Sequence, residues 1–148
     1  MNAVNVGDKI LSEHENLRAL LRALEQQVEQ SADSDAWLEN LRETLSRLVD
    51  LCAEHFELEE RAGLHVELRE QSPRLASRLE KLLSDHSRIL GALRRLVTDL
   101  PTESTASGGV DALKERILDT VAAVHEHERA ENEIMMDAYW EDLGGEAG

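Results

Sequence analysis

The sequence predicts an all-α protein, an antiparallel bundle of four helices in up-down-up-down order. Three observations lead there. Four long segments carry apolar residues at steps of three and four. Aromatic residues make up only 3% of the chain, too few strand formers for an all-β reading. The connections between the segments are mostly short, which sets successive helices side by side and antiparallel. The 148 residues, 41% apolar and 32% charged, suit one domain over 1–148, with a core at about 8–142 and a flexible C-terminal tail.

The first helix is expected from about Asp8 to Ser31, with the stripe Ile10, Leu17, Leu20, Leu21, Leu24 and Val28. Asp8 can cap it, and Ser12 with Glu15 also reads as a capping box. SADSD then forms a turn. The second helix starts near Asp35 and carries Leu38, Leu41, Leu45, Leu48, Cys52, His55 and Glu59 on one face. Gly63 ends or weakens it. The stretch Leu64 to Gln71 adds a helical turn or two. Ser72 and Pro73 then read as the N-cap and first position of a third helix reaching Leu100. That helix carries Leu75, Leu79, Leu82, His86, Ile89, Leu93 and Leu96. PTESTASGG is a polar connection. The fourth helix runs from about Val110 to Asp142 with Leu113, Ile117, Val121, Val124, His127, Glu131, Ile134 and Ala138 inward. Each helix alone would be marginal in water, so a shared leucine core must hold them together.

A net charge of −15 repels nucleic acid and anionic membranes, and excludes both as partners. The single cysteine, Cys52, allows no internal disulfide and too few sulfurs for a zinc-thiolate site. It reads as a small buried hydrophobe in preference to a redox group. The N-terminus lacks a signal-peptide pattern and no stretch is long enough to span a membrane, so the expected location is the cytoplasm.

The chemistry lies in the histidines. Four of the six sit in apolar stripes, one per helix: His14, His55, His86 and His127. His55 is followed by Glu59 and His127 by Glu131, each just over one turn later and therefore on the same face. His-x-x-x-Glu is weak alone, since six histidines in so glutamate-rich a chain give about one match by chance. Position supplies the specificity. His14 is early in its helix, His55 late, His86 early and His127 late, so an up-down bundle brings all four to one level. Two carboxylates and four imidazoles in a leucine core are costly without partners. Arg18, one turn after His14, is the best competing partner, but it neutralises one carboxylate at most. Two divalent cations satisfy the whole layer, and imidazole with carboxylate suits iron, manganese or zinc. No histidine has a glutamate three residues before it, which excludes the ferritin-like Glu-x-x-His pattern, and HExxH is absent too.

The order His, His-x-x-x-Glu, His, His-x-x-x-Glu resembles the hemerythrin-like (HHE cation-binding) family. SEHENLRALL, EHFELEE, SDHSRIL and HEHERAENEIMMDAYWEDLG carry the likeness over nearly the whole chain. The resemblance implies a non-haem di-iron site: two iron ions (Fe2+/Fe3+) with a bridging oxygen species, iron ahead of zinc or manganese. It implies His14, His55, His86 and His127 as terminal ligands and Glu59 and Glu131 as bridges. Oxygen-carrying members place a further histidine four residues after the first on the third helix; here that position is Leu90. His125 is two residues from His127 and faces away from it, and the sequence does not place His65, which follows Gly63. The site is thus short of nitrogen, with room for water, oxygen, peroxide or nitric oxide, and departs from the reversible-carrier pattern. Glu60 is a weaker candidate for an extra carboxylate ligand. Met135 and Met136 read as core and rim. Trp37, Tyr139 and Trp140 read as packing or surface residues, with Tyr139 a candidate to line the open end of the pocket.

The favoured function is binding or sensing of O2 or a related small oxidant, with any signal passed to a protein partner. The alternatives are an enzyme acting on peroxide or nitric oxide, and a metal-free or zinc-bound bundle serving protein contacts.

Overall fold

The structure is a computed structural model that describes residues 3–30, 34–61, 63–100 and 109–142. Its elements are α1 (Ala3–Glu29), α2 (Asp35–Arg61), α3 (Leu64–Gln71), a 3-10 turn (Pro73–Leu75), α4 (Ala76–Asp99) and α5 (Gly109–Asp142). Among the described residues there is no strand. Parts of the SADSD and PTESTASGG connections and the GGEAG tail lie outside the described residues, as do the side chains of Tyr139 and Trp140.

α1 begins earlier than the expected Asp8, so Asp8 and the Ser12–Glu15 box lie inside the helix and do not mark its start. Fully buried Ile10 anchors this first part of α1. α2 starts as its sequence predicts. The Trp37 backbone N–H donates to Ser34 Oγ at 3.0 Å, which satisfies one orphan donor of the first turn. The Trp37 indole N–H donates to the Gln27 carbonyl at 2.7 Å and ties the start of α2 to the end of α1. Gly63 stops α2 with φ +69°, a left-handed conformation that glycine adopts without a Cβ penalty.

The third predicted helix is not continuous. Pro73–Leu75 forms a 3-10 turn, closed by Leu75 N–H to the Ser72 carbonyl at 2.9 Å, and α4 starts only at Ala76. Ser72 makes no side-chain cap bond. Proline's locked φ and the tighter i→i+3 bond suit this short piece.

α1 packs on α2, α2 on α4, α4 on α5 and α5 back on α1, while α3 leans on α2 and α4. Contacts between neighbours join the start of one helix to the end of the next. Arg42 of α2 donates to the carbonyls of Val97 and Leu100 at the end of α4, and Arg78 of α4 pairs with Asp137 of α5. The leucine stripes meet in a core that includes Leu17, Leu24, Leu45, Leu48, Leu93 and Ile117, and burying each such side chain contributes about 1.5–3 kcal/mol. A second, smaller apolar cluster gathers Leu75, Leu79, Leu82, Ile134 and Ala138, with Leu68 of α3 against it. On α4 and α5 the polar layer falls between these clusters: His86 separates Leu82 from Ile89, and His127 and Glu131 separate Val124 from Ile134.

Candidate metal centre

Each long helix delivers its histidine to this layer. α1 brings His14, α2 brings His55 and Glu59, α4 brings His86, and α5 brings His127 and Glu131, and all six are buried. Their donor atoms fall into two groups, His14–His55–Glu59–Glu131 and Glu59–His86–His127–Glu131, and within each group the atoms lie within 4.8 Å of one another. Both carboxylates belong to both groups. His14 Nε2 is 2.8 Å from Glu131 Oε1 and 3.1 Å from His55 Nε2. His55 Nε2 is 3.5 Å, and His86 Nε2 3.4 Å, from Glu59 Oε1. His127 Nε2 is 3.8 Å from Glu131 Oε2.

All four imidazoles turn Nε2 inward. Three of them rest Nδ1 on an acid outside the two groups: His55 on Glu13 at 2.8 Å, His86 on Glu60 at 2.9 Å and His127 on Asp85 at 3.5 Å. A proton held on Nδ1 by a carboxylate leaves the Nε2 lone pair free, which is the arrangement metal-ligating histidines favour. Phe56, the single phenylalanine, stacks on His86 with centroids 4.1 Å apart and planes 6° from parallel, and meets the His127 ring edge-on. It fixes the orientation of both rings.

Apart from the contacts of His14 Nε2 with Glu131 and His55, the inward atoms lack hydrogen-bond partners. Both oxygens of Glu59, Glu131 Oε2, His86 Nε2 and His127 Nε2 are buried without a hydrogen bond, although buried polar groups are almost always paired. Arg18 does not relieve them; it lies half-exposed, 3.8 Å from Glu128. The residues therefore fit cations: each group offers two imidazoles and two shared carboxylates, donors of the hard-to-borderline type that iron, manganese and zinc take.

Electrostatics agree. Burial, with the neighbouring Glu131, pushes the Glu59 carboxyl up to about 11, so without a cation it is neutral. Burial also opposes ionisation of Glu131, but the neighbouring Glu59, which carries the proton, and the His14 and His55 imidazoles outweigh it and hold that group well below the carboxylate range. The metal-free pair thus shares one proton, as two adjacent buried carboxylates must. Burial lowers His127 and keeps it neutral. For His55 burial works the same way, but hydrogen bonds with Glu131 and Glu13 prevail and raise it.

Sequence reasoning brought together the six residues that the structure gathers, and missed the acids around them. Glu13, Asp85 and buried Glu128 were not singled out, and Glu60 is a support for His86 Nδ1. A signal was present: each of the four histidines follows an acid, as Glu13–His14, Glu54–His55, Asp85–His86 and Glu126–His127. Glu13 and Asp85 reach the histidine of the next helix, while Glu54 and Glu126 are exposed. Leu90 is half-buried, beside an outer groove with Ala53, Phe56 and Arg94. His125 faces Glu25 at 3.2 Å, outside both groups.

Helices that converge two sets of buried imidazoles on a shared pair of carboxylates define a class, helical cation-binding proteins. A comparison with protein families makes this specific: the chain belongs to the Hemerythrin HHE cation binding domain family, matched over residues 5–139. Neither curated proteins nor solved structures gave a match. No helix among the described residues is long and apolar enough to cross a membrane.

Proposed function

We propose that this chain is a non-haem di-iron protein that binds or senses O2 or a related small oxidant, built as one up-down-up-down four-helix domain. The observation that carries the reading is the sharing of Glu59 and Glu131 by two groups of four donors. In this reading His14 and His55 would hold one iron and His86 and His127 the other, with Glu59 and Glu131 available to both. Bound iron supplies reversible one-electron chemistry and a position for a small ligand. The chain's residues set the conditions for it. Glu13, Glu60 and Asp85 orient the imidazoles and raise their basicity. The leucine layers on either side keep the local dielectric low, which strengthens the attraction between the carboxylates and cations. The start-to-end contacts Trp37–Gln27, Arg42–Leu100 and Arg78–Asp137 support the antiparallel order. A signalling output would pass to a protein partner, and the net charge of −15 argues against nucleic acid.

The test is anaerobic loading with Fe(II), a metal count per chain, and absorption spectra before and after air. Two irons per chain with near-ultraviolet bands on exposure are expected. Bands that persist or reverse fit binding or sensing, and sustained peroxide consumption would point to an enzyme instead. Failure to retain iron, with no spectral response, would overturn the proposal.

A further inference from the structure

His65 stands outside both donor groups, yet the fold carries it to one of them. The left-handed Gly63 ends α2 and lets α3 begin at Leu64, so His65 comes back over the layer only six residues after Glu59. Its side chain is buried at 5% exposure. Its ring centroid is 6.0 Å from that of His86. The ring pairs inside the two groups are 4.7 Å apart for His14–His55 and 5.1 Å for His86–His127. His65 therefore lies 0.9 Å farther from His86 than His127 does. Its Nδ1 has no hydrogen-bond partner, and a buried nitrogen left that way is unfavourable.

We propose that His65 is a fifth nitrogen ligand, supplied by α3 to the cation of the Glu59–His86–His127–Glu131 group. The inference rests on the two-cation reading above and adds an asymmetry to it. One cation would take three imidazoles, the other two, with both carboxylates shared. The extra nitrogen comes from a different element than the helix position occupied by Leu90. The adjustment it needs falls on a short helix. α3 has eight residues, Leu68 is only partly buried against the smaller apolar cluster, and Val66 is 59% exposed. So lightly anchored a helix can shift without disturbing the main core. The other occupation of this space, a histidine that only packs against His86, leaves Nδ1 unpaired in the loaded protein as well.

Cobalt(II) is the probe, because its visible bands report donor number and geometry. The protein, His65→Leu and His65→Gly are titrated without air. The unaltered chain is expected to take two Co(II). Each variant should keep one site unchanged and bind the second about tenfold or more weakly, with altered bands; adding imidazole to His65→Gly should restore them. Independently of any substitution, proton NMR of the Co(II)-loaded protein should show five hyperfine-shifted, exchangeable ring N–H signals. Four such signals, or variants with the affinities and bands of the parent, would overturn the assignment of His65 and leave the two-cation reading standing. A parent chain that binds no cation would overturn both.

Discussion

Glu59→Gln should separate folding from metal binding, because the two make opposite demands on this side chain. Glu59 is fully buried, and neither of its oxygens has a hydrogen-bond partner. Its folded-state value of about 11 is far above the ordinary 4.5. A raised carboxyl favours the fold only while protonated: that contribution is complete below pH 4.5 and fades as the pH climbs toward 11. At pH 7, keeping the proton costs about 3 kcal/mol at about 1.4 kcal/mol per pH unit. This is an upper figure, since Glu131 shares the proton and moves the other way. Glutamine has the shape of the protonated acid and needs no proton. The metal-free variant should therefore be as stable as the parent at pH 5 and more stable by about 1–3 kcal/mol at pH 8. The loaded variant should behave oppositely, because the lost charge belongs to both donor groups. His127→Ala, by contrast, removes a donor from only one group, and should lose one cation in preference to the other. The assays are urea denaturation of metal-free protein from pH 5 to 9 and metal counts after loading. A metal-free Glu59→Gln protein less stable than the parent at pH 8, or one that retains two cations as tightly, would refute the reasoning.

Three further expectations concern the surroundings. Glu13→Gln should weaken cation binding about ten- to hundredfold, because Glu13 is mostly buried and holds His55 Nδ1 at 2.8 Å; Glu60→Gln should do less, its carboxylate being 54% exposed. Cys52, fully buried with its thiol pushed up to about 12 by burial and by Glu128, should resist a thiol reagent at pH 8 until the protein is denatured; labelling of folded protein at the denatured rate would contradict that burial. Alanine should act with opposite signs at two glycines where a Cβ meets nothing within 4 Å. At Gly63 the positive φ makes it destabilising by about 1–2 kcal/mol, whereas at Gly91, inside α4, it should stabilise by about 0.5–1 kcal/mol, both read by thermal melts.

The sequence by itself determined which residues face inward, because helical periodicity is local: positions three and four apart share a face whatever the partner helix. That alone predicted the buried stripes from Leu17 to Val28 and from Leu79 to Leu96 and the inward faces of His14, His55, Glu59, His86, His127 and Glu131; the up-down order then placed those six in one layer. It could also set the level of each histidine, since short connections leave little choice of helix order. What it could not supply was azimuth between helices. A residue one step from a ligand is rotated by about 100°, so whether it meets water or the next helix depends on how the helices are turned against each other. Only the tertiary structure decided that Glu13 reaches His55, that Asp85 reaches His127 while Glu54 and Glu126 stay exposed, and that Arg18 goes to Glu128. Glu60 next to Glu59 was ambiguous for the same reason, and packing turned it to His86 Nδ1. His65 was the least legible residue. Its place follows from a single positive φ at Gly63, which sets the direction of the whole of α3 and leaves no periodic trace in the residues around it.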